Sequence, residues 1–275
     1  MLFVLQPVLA LYLLKRSIRQ PEYRAGWGQR FFALLPEFAA VPNGQQRIWV
    51  HAVSVGEAHA VSPLVQHWAK VYPWHEWAIS CTTPTGMDTC EQLYAGLNGV
   101  RFFYLPYDLP YLVARTVKQV HAQALWVVET ELWPNLLLGA AKAGVHTALL
   151  NARVSPTTGK RLAQFGLVSK PVLQSLGTLI SQTRADADVF ESLGRPVNAV
   201  CGNLKFDVAL KPELATLGRT WREATQAEQI LLFASSREGE EALLLDALNR
   251  CQFFKRMPKA SVWVVPRHPQ RFDEV

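Results

Sequence analysis

From about residue 47 onward, short β-branched or aromatic runs alternate with longer stretches in which apolar residues recur every three or four positions. Runs of the first kind predict strands and stretches of the second predict helices. Their alternation predicts βαβ units and hence a parallel sheet. The expected strands are 47–54, 77–83, 100–105, 124–129, 146–151, 177–182, 197–201, 230–235 and 260–265. Among the segments between them, Glu57 to Lys70 places Val61, Leu64, Val65 and Trp68 on one face before Tyr72-Pro73 ends the run. Asp207 to Glu213, which contains Lys211-Pro212, is the expected hinge. It divides a first domain, 31–208, from a second, 209–275, in which only two strands have appeared by Val275. Two strands and one completed helix do not enclose a good core, which predicts a fragment of a longer protein with its second domain truncated.

The first thirty residues follow a different pattern. MLFVLQPVLALYLL is apolar apart from Gln6 and Pro7, and Lys15, Arg16, Arg19, Arg24 and Arg30 follow it against the single acid Glu22. A spanning helix needs ~20 apolar residues, so this run is short. Its positive charge comes after the apolar run, the reverse of a signal peptide. That order fits a membrane anchor over 1–30 whose following domain stays on the cytoplasmic side, with an amphipathic helix packed on the protein as the bland alternative. Much of the formal charge of +6 therefore belongs to this end. No basic stripe with interleaved aromatics marks a nucleic-acid surface. The chain is 49% hydrophobic, enough to fill real cores. Cys81, Cys90, Cys201 and Cys251 have neither metal-site spacing nor disulfide-scaffold density, and are expected to be buried free thiols.

Ligands of an open parallel sheet bind beyond the carboxyl ends of its strands. Here those ends lead to Gly56-Glu57, Thr82 to Gly86, Pro106-Tyr107-Asp108, Glu129 to Asn135, Asn151-Ala152-Arg153, Gly202 to Lys205, Ser235 to Glu238 and Pro266-Arg267-His268. Each has a bland reading. Glu57 can oppose a helix dipole, and Thr83 or Thr85 can cap a helix. Arg267 and His268 can form a solvated turn or hold a phosphate. Glu129 ends the apolar run Ala124 to Val128, where desolvation raises a carboxyl pKa unless a cation pairs with it. His51, His59, His67 and His75 recur every eight residues but lack the spacing of a helical metal pair. The chain has no GxxxxGK[ST], no GxGxxG after its first strand and no Gly-x-Ser-x-Gly. These absences disfavour a Walker nucleotidase, a dinucleotide fold and an α/β-hydrolase.

Taken together, HAVSVGEAHA, TTPTGMD, FYLPYDLP, ETELWPNLL, NARVS, GNLKFD, SSREGEE and VPRHPQRF strongly resemble the 3-deoxy-D-manno-octulosonic acid (Kdo) transferase family. The match runs in the family's order over nearly the whole chain. The resemblance implies a GT-B glycosyltransferase with two Rossmann-like parallel-sheet domains and an N-terminal membrane-anchor helix. Its first domain would hold the lipid acceptor and its second the donor CMP-Kdo. It implies inverting transfer to the lipid A precursor at the cytoplasmic face of the inner membrane, with no metal or other cofactor. By the same resemblance Glu57 is the catalytic base, Glu129 and Lys205 stabilise the transition state, and Pro266 and Arg267 contact the nucleotide. The family's glycine-rich loop and later Asn-x-x-Glu stretch are not in this sequence, which predicts impaired donor binding. The alternatives are another GT-B enzyme acting on a nucleotide sugar and a lipid, or an inactive tethered module that binds only the acceptor.

Overall fold

The computed structural model describes residue 15, residues 17–18, 20–207 and 212–275. The apolar run expected to anchor the chain, and Lys211 of the expected hinge, lie outside the described residues. Among the described residues no helix is long and apolar enough to cross a membrane. The chain divides into two compact units, Met1–Val208 and Ala209–Val275.

The first unit is built on seven parallel strands: β1 (Arg47–His51), β2 (Glu76–Cys81), β3 (Arg101–Tyr104), β4 (Ala124–Val128), β5 (His146–Ala152), β6 (Thr178–Ser181) and β7 (Ala199–Val200). Their spatial order is β3-β2-β1-β4-β5-β6-β7. The helices are α1 (Trp27–Phe32), α2 (Val55–Val71), α3 (Pro84–Tyr94), α4 (Pro110–Val120), α5 (Pro134–Lys142), α6 (Pro156–Gln164), α7 (Gly166–Gln174) and α8 (Arg184–Ser192).

Helices cover both faces of the sheet, so the central strands are apolar at nearly every position. The two-residue period of a strand then sorts neighbours to opposite sides. Trp49, Leu125, Val127 and Leu149 join one core with Val113 and Val117 of α4, Leu136 and Leu137 of α5, Val172 of α7 and Phe190 of α8. Ile48, Val50, Trp126, Val128 and Leu150 join the other with Val61 and Val65 of α2 and Met87 and Tyr94 of α3. Strand order reverses between β1 and β4, which opens a crevice at their carboxyl ends. At the opposite edge the buried Arg47 pairs with Glu76 and donates to the carbonyls of Val120 and Ala39 at 2.7 Å each.

Several expected boundaries move. The first strand stops at His51 rather than residue 54, because Val53 has turned toward α2. The seventh shrinks to two residues, and α2 begins at Val55, two residues earlier than expected. The expectation of four buried cysteines is corrected. Cys81 and Cys90 are buried, but Cys201 follows the edge strand β7 and Cys251 follows an exposed helix end, so both are exposed.

The second unit holds a parallel pair, β8 (Gln229–Ser236) and β9 (Ala260–Pro266), with α9 (Pro212–Thr225), α10 (Glu240–Arg250) and α11 (Phe253–Arg256). Among the described residues Leu248 is its buried apolar residue, while Leu232 and Val265 of the strands are exposed. In this unit Arg271 pairs with Glu241 in two prongs, at 2.9 and 3.0 Å.

Candidate active site

The β1 strand hands the chain to α2 through HAVSVGE. Ser54 is the extended residue before the helix and Glu57 stands in the first turn. The Glu57 carboxylate folds back on the helix entrance, where Val53 N–H donates to Oε2 at 2.5 Å and Ser54 Oγ donates to Oε1 at 3.3 Å. The bland role of closing a helix start is therefore present. It does not account for the environment, because Glu57 is buried and its pKa is raised to about 7. Burial is the main cause, Glu131 and Glu129 add like-charge repulsion, and the bonds from Val53 and Ser54 oppose the shift.

The turn after β2 fixes this entrance from the side. The Val53 carbonyl accepts from Cys81 Sγ at 3.1 Å, Thr82 Oγ1 at 3.2 Å and Thr83 Oγ1 at 3.3 Å. Thr83 also caps α3 by accepting from Gly86 N–H at 3.1 Å. A Cβ on Gly86 would lie 2.4 Å from Cys81 Sγ and 2.6 Å from Thr83 Oγ1, so the side-chain-free residue is required there. TTPTG is thus the buttress that holds VSVGE in place.

Across the crevice, Glu129 leaves β4 in the left-handed region at φ 61°. Its N–H still bonds the Leu150 carbonyl at 2.9 Å, so the backbone is held by the sheet while the side chain is turned out of it. One carboxylate oxygen meets Lys205 Nζ at 2.7 Å. The cation that a strand-end carboxylate requires is therefore supplied from the short 3-10 turn Leu204–Asp207 beyond β7, which rests against α2. Glu131 is half-buried, accepts from Trp133 Nε1 at 2.9 Å and has its pKa raised chiefly by burial. Asp108 fixes the start of α5 by accepting from Asn135 N–H at 2.9 Å and Leu136 N–H at 2.7 Å.

Asn151 was legible only as part of a polar strand end. The structure gives it a specific place: buried, at φ 55°, with its Oδ1 accepting from Leu204 N–H at 3.0 Å. Its backbone carbonyl accepts from Gln182 Nε2 at 3.0 Å. It ties the turn that carries Lys205 to the end of β5. The available signal was chemical, since asparagine is among the few residues with a side chain that tolerate φ above zero. Glu131 gave no such signal.

Glu57, Glu129 and Lys205 therefore belong to the carboxyl edge of the first sheet, with the two glutamates just beyond β1 and β4, the strands that flank its reversal. Pro266 and Arg267 belong to the second unit, where Pro266 ends β9 and Arg267 is exposed, its N–H bonded to the Ser236 carbonyl at 2.9 Å. Among the described residues no group of three or more His, Cys, Asp and Glu side chains could hold a metal ion.

This arrangement defines a doubly wound α/β protein with an acid–lysine site at its topological switch point. Solved structures of the same fold include UDP-GlcNAc 2-epimerase from Neisseria meningitidis bound to UDP-GlcNAc, with a TM-score of 0.56 at 11% identity over 79% of this chain and 64% of that one. Anabaena Alr3699/HepE in complex with UDP and glucose gives 0.53 at 13% identity, over 83% and 63%. These likenesses establish the fold alone.

Residues 25–208 match the family model described as 3-deoxy-D-manno-octulosonic-acid transferase (kdotransferase), and the chain belongs to that family. The 3-deoxy-D-manno-octulosonic acid transferase of Bordetella pertussis is 35% identical over 82% of this chain and 53% of its own length. That of Haemophilus influenzae is 28% identical over 100% of this chain and 64% of its own. The chain thus spans little more than half to under two-thirds of these relatives.

Proposed function

We propose that this chain is the acceptor-side part of a GT-B Kdo transferase that moves Kdo from CMP-Kdo to the lipid A precursor. Residues 31–208 form the acceptor domain and 209–275 begin the nucleotide-sugar domain, in which Pro266 and Arg267 contact the cytidine nucleotide. Residues 1–30 hold the enzyme at the cytoplasmic face of the inner membrane. The observation that carries this reading is the near-neutral carboxylate of Glu57 at the helix entrance after β1, the strand paired with β4, which delivers Glu129 to its ion pair with Lys205.

An acceptor hydroxyl is a weak nucleophile at neutral pH. Glu57 takes its proton as the bond to the anomeric carbon forms, and a base with a pKa near the working pH is suited to that task. Charge then separates, as the sugar becomes oxocarbenium-like and the departing CMP gathers negative charge on its phosphate. Lys205 answers the negative charge and Glu129 holds its ammonium in place, so the stabilising dipole is set before reaction. One displacement by the acceptor inverts the anomeric centre.

The test is a transfer assay on the full-length protein with CMP-Kdo and the acylated disaccharide precursor, monitoring CMP release and the mass of the lipid product. Glu57→Gln is expected to abolish both. Transfer by that variant at the parental rate, or turnover with a UDP-sugar in place of CMP-Kdo, would overturn the reading.

A further inference from the structure

The α6–α7 corner exposes apolar side chains that the folded unit does not use. Phe165 is 69% exposed, Leu167 97% and Val168 55%. The corner is nevertheless well formed, since Phe165 ends α6 and begins α7, and its carbonyl accepts from Val168 N–H at 2.9 Å and Ser169 N–H at 3.0 Å. Ser169 Oγ then donates to the Leu162 carbonyl at 2.6 Å. Below the corner, Val172 and Leu173 are buried against the sheet. The three apolar side chains are thus held outward on ordered helices.

Their electrostatic setting indicates what they meet. Lys160, Arg161 and Lys170 flank the corner and are all exposed. From Leu132 to Ala185 the chain carries no aspartate or glutamate, and on α8, the helix packed on α6, Asp188 and Glu191 are paired with Arg184 at 2.8 and 2.6 Å, which leaves the charges of Lys160, Arg161 and Lys170 at the corner. An apolar tip flanked by three exposed cations matches a bilayer surface with anionic headgroups. The aromatic and aliphatic groups enter the acyl boundary and the cations stay at the phosphates. The corner is also close to the chemistry. Helix α6 is nine residues long, ~14 Å by helical rise. It starts just after Arg153, whose carbonyl accepts from Thr130 Oγ1 next to Glu129.

We propose that the α6–α7 corner is a membrane-contact surface, in which Phe165, Leu167 and Val168 insert into an anionic bilayer and Lys160, Arg161 and Lys170 pair with its phosphates. This contact is separate from the expected anchor at 1–30, and it orients the first unit on the membrane.

The experiment uses the full chain with Cys201→Ser and Cys251→Ser, which removes the exposed thiols and leaves Cys81 and Cys90 buried. A single exposed cysteine, Leu167→Cys, is labelled with the environment-sensitive fluorophore NBD, and Asn98→Cys on the exposed loop before β3 serves as control. Vesicles of phosphatidylcholine with phosphatidylglycerol are expected to shift the emission at 167 to the blue and to quench it through doxyl-labelled lipid, with no change at 98. Combining Arg161→Glu with Lys170→Glu is expected to weaken that response by about fivefold or more per cation, although the chain still floats with the vesicles. Water-like emission at 167 on vesicles that carry the chain would overturn the proposal. So would an equal response on phosphatidylcholine alone, or a shift that follows protein concentration without vesicles and so reports a second copy of the chain. Because the readout is insertion and not transfer, its failure leaves the catalytic reading untouched.

Discussion

Lys205 Nζ lies 2.7 Å from Glu129 Oε1, although 76 residues and three strands separate the two along the chain. The pair is only partly shielded, with side-chain exposures of 47% and 25%. Such pairs contribute roughly 0–1 kcal/mol to stability. Its removal should therefore be felt in catalysis far more than in folding. Lys205→Met and Glu129→Gln in the full-length enzyme are each expected to lower kcat by about a hundredfold or more, the loss typical of a charge-stabilising donor. Melting temperature should move little. The two changes together should cost well under the product of their separate effects, since either one disables the same pair. Steady-state kinetics of the four proteins checks this.

Glu57 links activity to pH and to stability in opposite senses. Its folded-state pKa of about 7 stands above the ordinary 4.5, so between those values the folded chain holds a proton that the unfolded chain has released. Stability conferred by the folded state's extra proton affinity then falls as pH rises from about 4.5 to 7, and the cost is complete above that. The shift corresponds to about 3 kcal/mol. Glu57→Gln keeps an acceptor for Val53 N–H but cannot ionise. It is expected to melt higher than the parent protein at pH 8 and to match it near pH 4. The parent's kcat/KM should rise with pH to a plateau above about 7, as the base loses its proton.

Asn151 tests whether the Lys205 turn must be held. Asn151→Ala loses the bond to Leu204 N–H and replaces asparagine at φ 55° by a residue that tolerates this conformation less well, so stability should drop by about 1–3 kcal/mol. Asn151→Gly keeps the backbone conformation but not the bond. If the bond positions Lys205, both variants lose transfer, while the glycine variant recovers part of the stability. Thermal melts run beside transfer assays separate the two effects.

At the far edge, Arg47 is buried against Glu76 and two backbone carbonyls. Arg47→Met strands that carboxylate and both carbonyls, and is expected to destabilise the first unit by about 3–5 kcal/mol. Any transfer activity should fall only in step with the folded fraction, which denaturant titration followed by assay below the transition would show.

The parallel sheet was legible because each central strand is covered on both faces and therefore reads as an apolar run. The same covering hid the strand ends. Nothing in HAVSVGE marks where β1 stops, since the turn is set by Thr82 and Thr83 closing on the Val53 carbonyl from another strand. Glu57 was legible as a carboxylate at a helix entrance, but its raised pKa depends on burial and on Glu131, which lies across the sheet reversal. That Glu129 needed a cation could be argued from its place after five apolar residues. The residues alone offered several candidates for that cation, and only the order of β5, β6 and β7 brings Lys205 to it. Cys201 was misjudged because an edge strand of two residues buries nothing beyond itself.

That short edge strand has a consequence for how the protein loses function on warming. β7 is joined to β6 over two residue pairs, Ile180 with Ala199 and Ser181 with Val200, and Lys205 follows just beyond it on the turn that Asn151 ties to β5. Edge elements with few bonds open by sub-global fluctuations that leave the rest of a domain intact. Fraying there detaches the ammonium from the site while both cores remain closed. Inactivation should therefore precede the cooperative melt, and amide exchange at Cys201 and Gly202 should run ahead of exchange in β1 and β4.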